Sequence, residues 1–358
     1  MKKAIIAVPY LKGMGGTETV IKNFAEALDV KNSNNDISWK LISFGGTDKS
    51  DWLKHWNKKV YNFSKKRYIQ LAAYAGCMPF LIANILKKEK PAFFIATNPI
   101  IWSMASKFRK LISPNTKIIA WYHYSFKMKN VKLKYLKGVD EFWAISSGIK
   151  KELVSMGIKS ENIRLIYNPL NFSKTHLVKR SPQHNHFIYI GRIDYQGQKN
   201  TSELIHAFNN VKNEWSCDLY GSVDEQTKIK LKKIAYKDVQ EKICFKGFHK
   251  DIWSRIEEAD ALILTSKFEG LPMVLIEAAS RGIPIISSDC PTGTKDIVNE
   301  NNGWLYKMGE SGQLANILND IISLKRTLPS SEEVEKSVHR FNYENYKIRI
   351  LKSLRNEK

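Results

Sequence analysis

The chain has 358 residues, 43% hydrophobic and 26% charged, which are ordinary globular values that argue against disorder and leave room for two domains. Its four cysteines, Cys77, Cys217, Cys244 and Cys290, form no C-x-x-C pair and have no histidines at matching spacing. That argues against a structural zinc and a disulfide framework and fits a reducing compartment. The net charge of +22 is unevenly placed: residues 1–169 hold 29 Lys and Arg against 11 Asp and Glu, and residues 170–358 hold 28 against 24.

In chain order, Ala4–Val8 reads as a buried parallel strand; the segment from Lys2 is too short and too strand-like for a signal peptide. A glycine loop, Gly13-Met14-Gly15-Gly16-Thr17-Glu18, leads into a helix over Thr17–Leu28. The loop fails as a dinucleotide fingerprint because Glu18 replaces the third glycine, so its better use is close backbone approach to a sugar or phosphate, or a plain strand–helix turn. Lys54, Lys58, Lys59, Lys65, Lys66 and Arg67 then interleave with Trp52, Trp56, Tyr61, Phe63 and Tyr68, and Lys127, Lys129, Lys132, Lys134 and Lys137 surround Phe126, Tyr135 and Leu136. Basic residues mixed with aromatics suit an anionic membrane surface, nucleic acid, or merely solvated faces. Tyr68–Leu86 has no charged residue, yet Gln70, Gly76, Pro79 and Asn84 interrupt it. It reads as a buried or interfacial pair of helices, with Pro79 as the break, rather than a spanning helix.

Phe93–Ala96, Lys117–Trp121 and Glu141–Ile145 read as further strands, with Ser146 or Ser147 placed to cap the next helix. His123 stands at the end of the second of these, where open α/β sheets present ligand contacts, although a lone histidine is more often structural. At Ile166–Pro169 the rhythm breaks, and it restarts after a polar stretch from Ser173 to His186. Phe187–Ile190, Cys217–Tyr220, Ile243–Phe245, Ala261–Leu264 and Ile283–Ile286 read as strands, with helices over Ser202–Val211 and Gln226–Tyr236. The implied class is α/β: two doubly wound, Rossmann-like domains in tandem with a ligand cleft between them.

The most informative stretch is Phe268-Glu269-Gly270-Leu271-Pro272-Met273-Val274-Leu275-Ile276-Glu277-Ala278. It sets two carboxylates across a turn that opens a helix. Pro272 suits the first helical position, Gly270 permits close backbone approach, and the unpaired amides of a helix start favour an anion. Glu277 sits among Val274, Leu275, Ile276, Ala278 and Ala279, and a carboxylate in such a setting needs a partner. Arg192 and Lys199, on the loop after Phe187–Ile190, are two cations able to offset a diphosphate. Phosphate and polyhydroxyl recognition together describe a sugar nucleotide. No Asp-x-Asp motif follows a strand, so no metal cofactor is expected.

These residues resemble the retaining GT-B glycosyltransferases grouped as family 4, over most of the chain. The glutamate pair, the segment Gly191-Arg192-Ile193-Asp194-Tyr195-Gln196-Gly197-Gln198-Lys199-Asn200 and the loop Gly15-Gly16-Thr17-Glu18 carry the likeness. Within the family, Ala144–Lys150, Gly197-Gln198-Lys199 and Leu264–Glu277 look closest to the lipopolysaccharide 1,6-galactosyltransferases.

The resemblance implies an acceptor-side domain over 1–169 with a C-terminal helix, 340–358, crossing back onto it, and a nucleotide-sugar domain over 170–339. It implies that Arg192 and Lys199 bind the donor diphosphate. Glu277 would take the ribose hydroxyls, and Glu269 would position and stabilise charge at the reacting sugar. Gly16, Gly270, Leu271, Pro272, Met273 and Val274 would complete the donor site. Lys246-Gly247-Phe248 resembles the turn whose backbone reads the pyrimidine, so Gly247 and Phe248 join it, whereas Gly221-Ser222 departs from the relatives' turn. Trp121-Tyr122-His123-Tyr124-Ser125 matches the family's histidine position, making His123 a contact to donor sugar or acceptor. The expected enzyme moves a hexose, with UDP-galactose ahead of UDP-glucose or UDP-N-acetylglucosamine, onto lipopolysaccharide core or another surface polysaccharide. It would work from the cytoplasmic side, peripheral on the inner membrane face, without nucleic acid. A soluble or polyol-phosphate acceptor is the rival within enzymes, and a basic nucleic-acid-binding module is the rival from another class.

Overall fold

A computed structural model describes residues 1–13, 15–32, 36–63 and 67–357; Met14, Lys65 and Lys66 lie outside the described residues. The chain divides into two compact units, residues 1–171 with 341–358, and residues 172–340.

The first unit contains β1 (Lys2–Val8), β2 (Ile37–Gly45), β3 (Lys58–Asn62), β4 (Phe93–Ala96), β5 (Lys117–Ala120), β6 (Glu141–Ala144) and β7 (Ile163–Leu165). They pair in parallel in the order β3-β2-β1-β4-β5-β6-β7. Its helices are α1 (Gly16–Ala27), α2 (Arg67–Gly76), α3 (Met78–Glu89), α4 (Pro99–Ile112) and α5 (Ser147–Ser155). The second unit contains β8 (His186–Ile190), β9 (Ser216–Tyr220), β10 (Ile243–Gly247), β11 (Ala261–Leu264), β12 (Ile285–Ser288) and β13 (Gly303–Tyr306), parallel in the order β10-β9-β8-β11-β12-β13. Its helices are α6 (Thr201–Phe208), α7 (Glu225–Ile234), α8 (Lys237–Lys242), α9 (Met273–Ala279), α10 (Ser311–Ile322) and α11 (Ser331–Ser337).

Strands such as Phe93–Ala96 and Ala261–Leu264 are buried throughout, as expected of parallel strands covered on both faces. In each sheet the strand order reverses once, between β1 and β4 and between β8 and β11. The carboxyl ends of strands at such a reversal are where open α/β sheets bind ligands.

The last helix, α12 (Tyr343–Arg355), packs within the first unit. Its Tyr346 ring lies 5.9 Å from Phe24 in an aromatic core with Trp39, Trp121 and Trp143. The buried Glu141 carboxylate ties the helix down: it accepts from Lys117 Nζ (2.9 Å), Trp143 Nε1 (3.0 Å) and the Ser353 hydroxyl.

Several expectations shift. The strand expected over Ile283–Ile286 runs over Ile285–Ser288: the ring nitrogen of Pro284 cannot donate, and Ile285 is the first residue to donate across the sheet, to the Asn302 carbonyl at 2.9 Å. Tyr68–Leu86 does form two helices, and Pro79 lies in the first turn of α3, where its missing N–H costs nothing. Among the described residues no helix is long and apolar enough to cross a membrane. The apolar residues threaded through the basic runs divide: Trp52, Trp56, Phe126 and Leu136 belong to the core, whereas Tyr68 is exposed, as are Ile69 and Phe80 in the uncharged segment that follows on α2 and α3.

Candidate functional site

The loops after β8 and β11 leave neighbouring strands at the reversal point of the second sheet. Gly191 opens the first by donating its N–H to the Tyr220 carbonyl (2.9 Å). Gly221 lies against it so closely that a Cβ there would sit 1.7 Å from the Gly191 oxygen, so the departure at Gly221-Ser222 keeps the glycine that packing requires. The loop then folds back on Asp194, whose carboxylate accepts from the amides of Lys199 (3.0 Å) and Asn200 (2.9 Å). This aims Lys199 inward, with its side chain 18% exposed, while Arg192 stays at the rim, 63% exposed and 3.5 Å from Asp194.

The second loop is stitched to the first. Thr265 Oγ1 donates to the Lys199 carbonyl (2.9 Å), the Lys267 amide to the Gln198 carbonyl (2.8 Å), and Gln198 Nε2 to the Phe268 carbonyl (3.0 Å). At their meeting point Lys199 Nζ lies 2.7 Å from Glu269 Oε1, which also accepts from the buried Ser266 hydroxyl at 2.7 Å. The Glu269 carbonyl accepts from the Thr292 hydroxyl. Gly293, with φ of +79°, lies against the Gly270 carbonyl, where a Cβ would come within 2.5 Å. Asp194, Ser266, Thr292 and Gly293 were not singled out from the sequence; Thr292 follows a different strand, and nothing local marks it.

The helix after this loop begins one residue later than its sequence suggests. Pro272, with ψ of 97°, is the N-cap, and α9 is only seven residues long. A helix of two turns adds little dipole, so attraction for an anion here rests mainly on Lys199 and Arg192. Leu271 is buried and Met273 and Val274 are partly exposed on the first turn. Glu277, in the second turn, has the partner its apolar neighbours demanded: Oε2 accepts from Trp253 Nε1 at 3.1 Å. The Arg281 guanidinium stacks 4.4 Å from that indole and donates to the Glu277 carbonyl at 2.8 Å. Burial pushes the Glu277 carboxyl above its ordinary range, opposed by the indole hydrogen bond and the Arg281 charge. At the end of β10, Gly247 has φ of +77° with open space on its Cβ side, and Phe248 is exposed beside it.

Gly16 and His123 belong to the first unit. Gly16 opens α1, with open space where its Cβ would be. Glu18 folds back to accept from the Gly13 amide (2.7 Å), closing the glycine loop. Thr17 Oγ1 lies 3.5 Å from Tyr124 Oη, so the start of α1 meets the loop after β5. His123 on that loop is buried against Trp121, rings 4.6 Å apart, and neither ring nitrogen has a hydrogen-bond partner among the described residues. Burial pushes its imidazole down to about 3, so it is neutral at any working pH and cannot serve as a general acid there.

That burial has a consequence for stability. Between about pH 6.5 and 3 the unfolded chain protonates this histidine and the folded chain does not, so stability falls as pH drops through that window. The loss approaches about 1.4 kcal/mol per pH unit from this group. His123→Gln is expected to flatten the acid limb of a plot of unfolding free energy against pH, and equal acid sensitivity in both proteins would contradict it.

Two protein families match the two halves in succession. Residues 14–174 match the family described as Glycosyltransferase Family 4, and residues 176–347 match Glycosyl transferases group 1. The lipopolysaccharide 1,6-galactosyltransferase of Salmonella typhimurium is 32% identical over 328 residues, covering 87% of this chain and 88% of its own. This chain is a GT-B glycosyltransferase. The lipopolysaccharide 1,6-galactosyltransferase of Escherichia coli is 29% identical over 96% of this chain and 95% of its own. Among solved structures, the apo form of the lipopolysaccharide outer core galactosyltransferase WaaB matches with a TM-score of 0.85 at 27% identity, covering 99% of both chains.

Proposed function

We propose that this GT-B enzyme transfers galactose from UDP-galactose to a lipopolysaccharide core or related surface glycan, with retention of anomeric configuration. The observation that carries the reading is the meeting of Lys199 and Glu269, with Arg192 at the rim, at the strand-order reversal of the second sheet. The two cations offset the diphosphate and stabilise it as leaving group. Glu277 accepts from the ribose hydroxyls, the Gly247-Phe248 turn takes the base, and Glu269 lies beside the sugar. Gly16 and the neutral His123 serve as sugar or acceptor contacts. Galactose and the lipopolysaccharide acceptor are supported by the relatives above, whose names specify 1,6-galactosyl transfer.

Transfer is proposed to need no metal, since the cations of the leaving-group site are side chains. Excess chelator should leave the rate nearly unchanged, and proton NMR of early product from the α-linked donor should show an α linkage. A β product, or loss of the rate on chelation, would contradict the reading.

We further propose that the enzyme works on the inner membrane face, held by its cationic first unit. The support is physical: α2 and α3 expose Tyr68, Ile69 and Phe80 from a segment without charges, and the exposed Lys59, Lys87 and Lys88 lie on the elements around it. Each lysine near an anionic leaflet contributes about 1 kcal/mol, fading beyond a Debye length. Binding to anionic vesicles should therefore fall steeply with salt. Replacing Lys59, Lys87 and Lys88 by serine should weaken it without slowing donor hydrolysis. Tighter binding to duplex DNA than to vesicles at physiological salt would overturn the membrane assignment.

A further inference from the structure

The cation assigned to the donor diphosphate is already occupied. Lys199 Nζ sits 2.7 Å from Glu269 Oε1, and both side chains are largely shielded, at 18% and 10% exposure, so this is a strong contact rather than a loose surface pair. A diphosphate entering beside Lys199 would meet a carboxylate of its own sign already on that ammonium. Glu269 nevertheless has a second holder. Ser266 donates to the same carboxylate oxygen, and Ser266 is itself fixed by the Ser288 hydroxyl on its carbonyl (2.6 Å). The Glu269 main chain is clamped separately by Thr292 and by the close approach of Gly293 to Gly270.

We propose that the Glu269 carboxylate holds the place of the donor diphosphate on Lys199, and that Ser266 retains it beside the sugar once the diphosphate takes the ammonium. This rests on the nucleotide-sugar reading of the site. Until the donor arrives, the Lys199 and Glu269 charges cancel. Donor binding separates them, giving Lys199 to the leaving group and leaving a carboxylate without its counter-ion where positive charge develops at the anomeric carbon. Ser266 thereby becomes a positioning residue for Glu269.

The test is calorimetry with UDP and, separately, inorganic pyrophosphate, neither of which carries a sugar for Glu269 to touch. Glu269→Gln is expected to bind both probes about fivefold more tightly than the wild type, because Lys199 no longer has to give up a counter-charge. Should that variant unfold, as a melting curve would show, Glu269→Ala tests the same removal of charge. Ser266→Ala should leave UDP affinity unchanged while lowering kcat at saturating donor. Equal or weaker UDP binding by the Glu269 variants would overturn the proposal, showing that cation and carboxylate hold the diphosphate as one unit. Wild-type protein that binds no UDP at all would instead refute the donor site itself.

Discussion

Lys199→Ala is expected to lower kcat/KM for sugar transfer at least about thirtyfold, a loss of about 2 kcal/mol or more of transition-state stabilisation. Two effects add. The variant removes the inward-facing cation of the proposed leaving-group site, and it leaves the Glu269 carboxylate held by the Ser266 hydroxyl with no counter-charge on it. Arg192→Ala should cost less, because that side chain is largely exposed and its charge is screened by solvent. Initial rates of both variants at subsaturating donor measure the difference. Wild-type rates in both would remove diphosphate binding from this loop.

Glu277→Ala should weaken UDP binding by about 1.5–3 kcal/mol, the range for losing a hydrogen bond to a charged group. The side chain does two jobs that this change removes together: it accepts from Trp253 Nε1, and it is assigned to the ribose. Trp253→Phe separates them, since it deletes the indole donor and leaves the carboxylate in place. A loss confined to Glu277→Ala locates the effect in ligand binding. Unchanged UDP affinity in Glu277→Ala would reject the ribose assignment.

Parts of this molecule were legible in the sequence for identifiable reasons. A strand covered on both faces is a short apolar run, so Phe93–Ala96 and Ala261–Leu264 could be read at once. The edge strand Lys58–Asn62 begins with two exposed lysines and passed unread, as did Gly303–Tyr306 at the opposite edge of the other sheet. The site divides in the same way. Arg192, Lys199, Glu269 and Glu277 stand at fixed distances from strand ends, where local order carries meaning. Their supports do not: Thr292 reaches Glu269 from the loop after β12, and Trp253 reaches Glu277 from an irregular stretch before β11. Such partners are chosen by tertiary approach. The basic runs misled in one respect, since Trp52, Trp56 and Phe126 alternate with lysines because they fill the core beneath a charged surface.

The two stitched loops of the second unit are proposed to bind a uridine diphosphate sugar for transfer. The most direct test is UDP release from a panel of nucleotide sugars, measured without acceptor and then with lipopolysaccharide core. Release from UDP-galactose is expected to exceed that from UDP-glucose and UDP-N-acetylglucosamine and to be accelerated by the core acceptor. Release from no nucleotide sugar under either condition would contradict it.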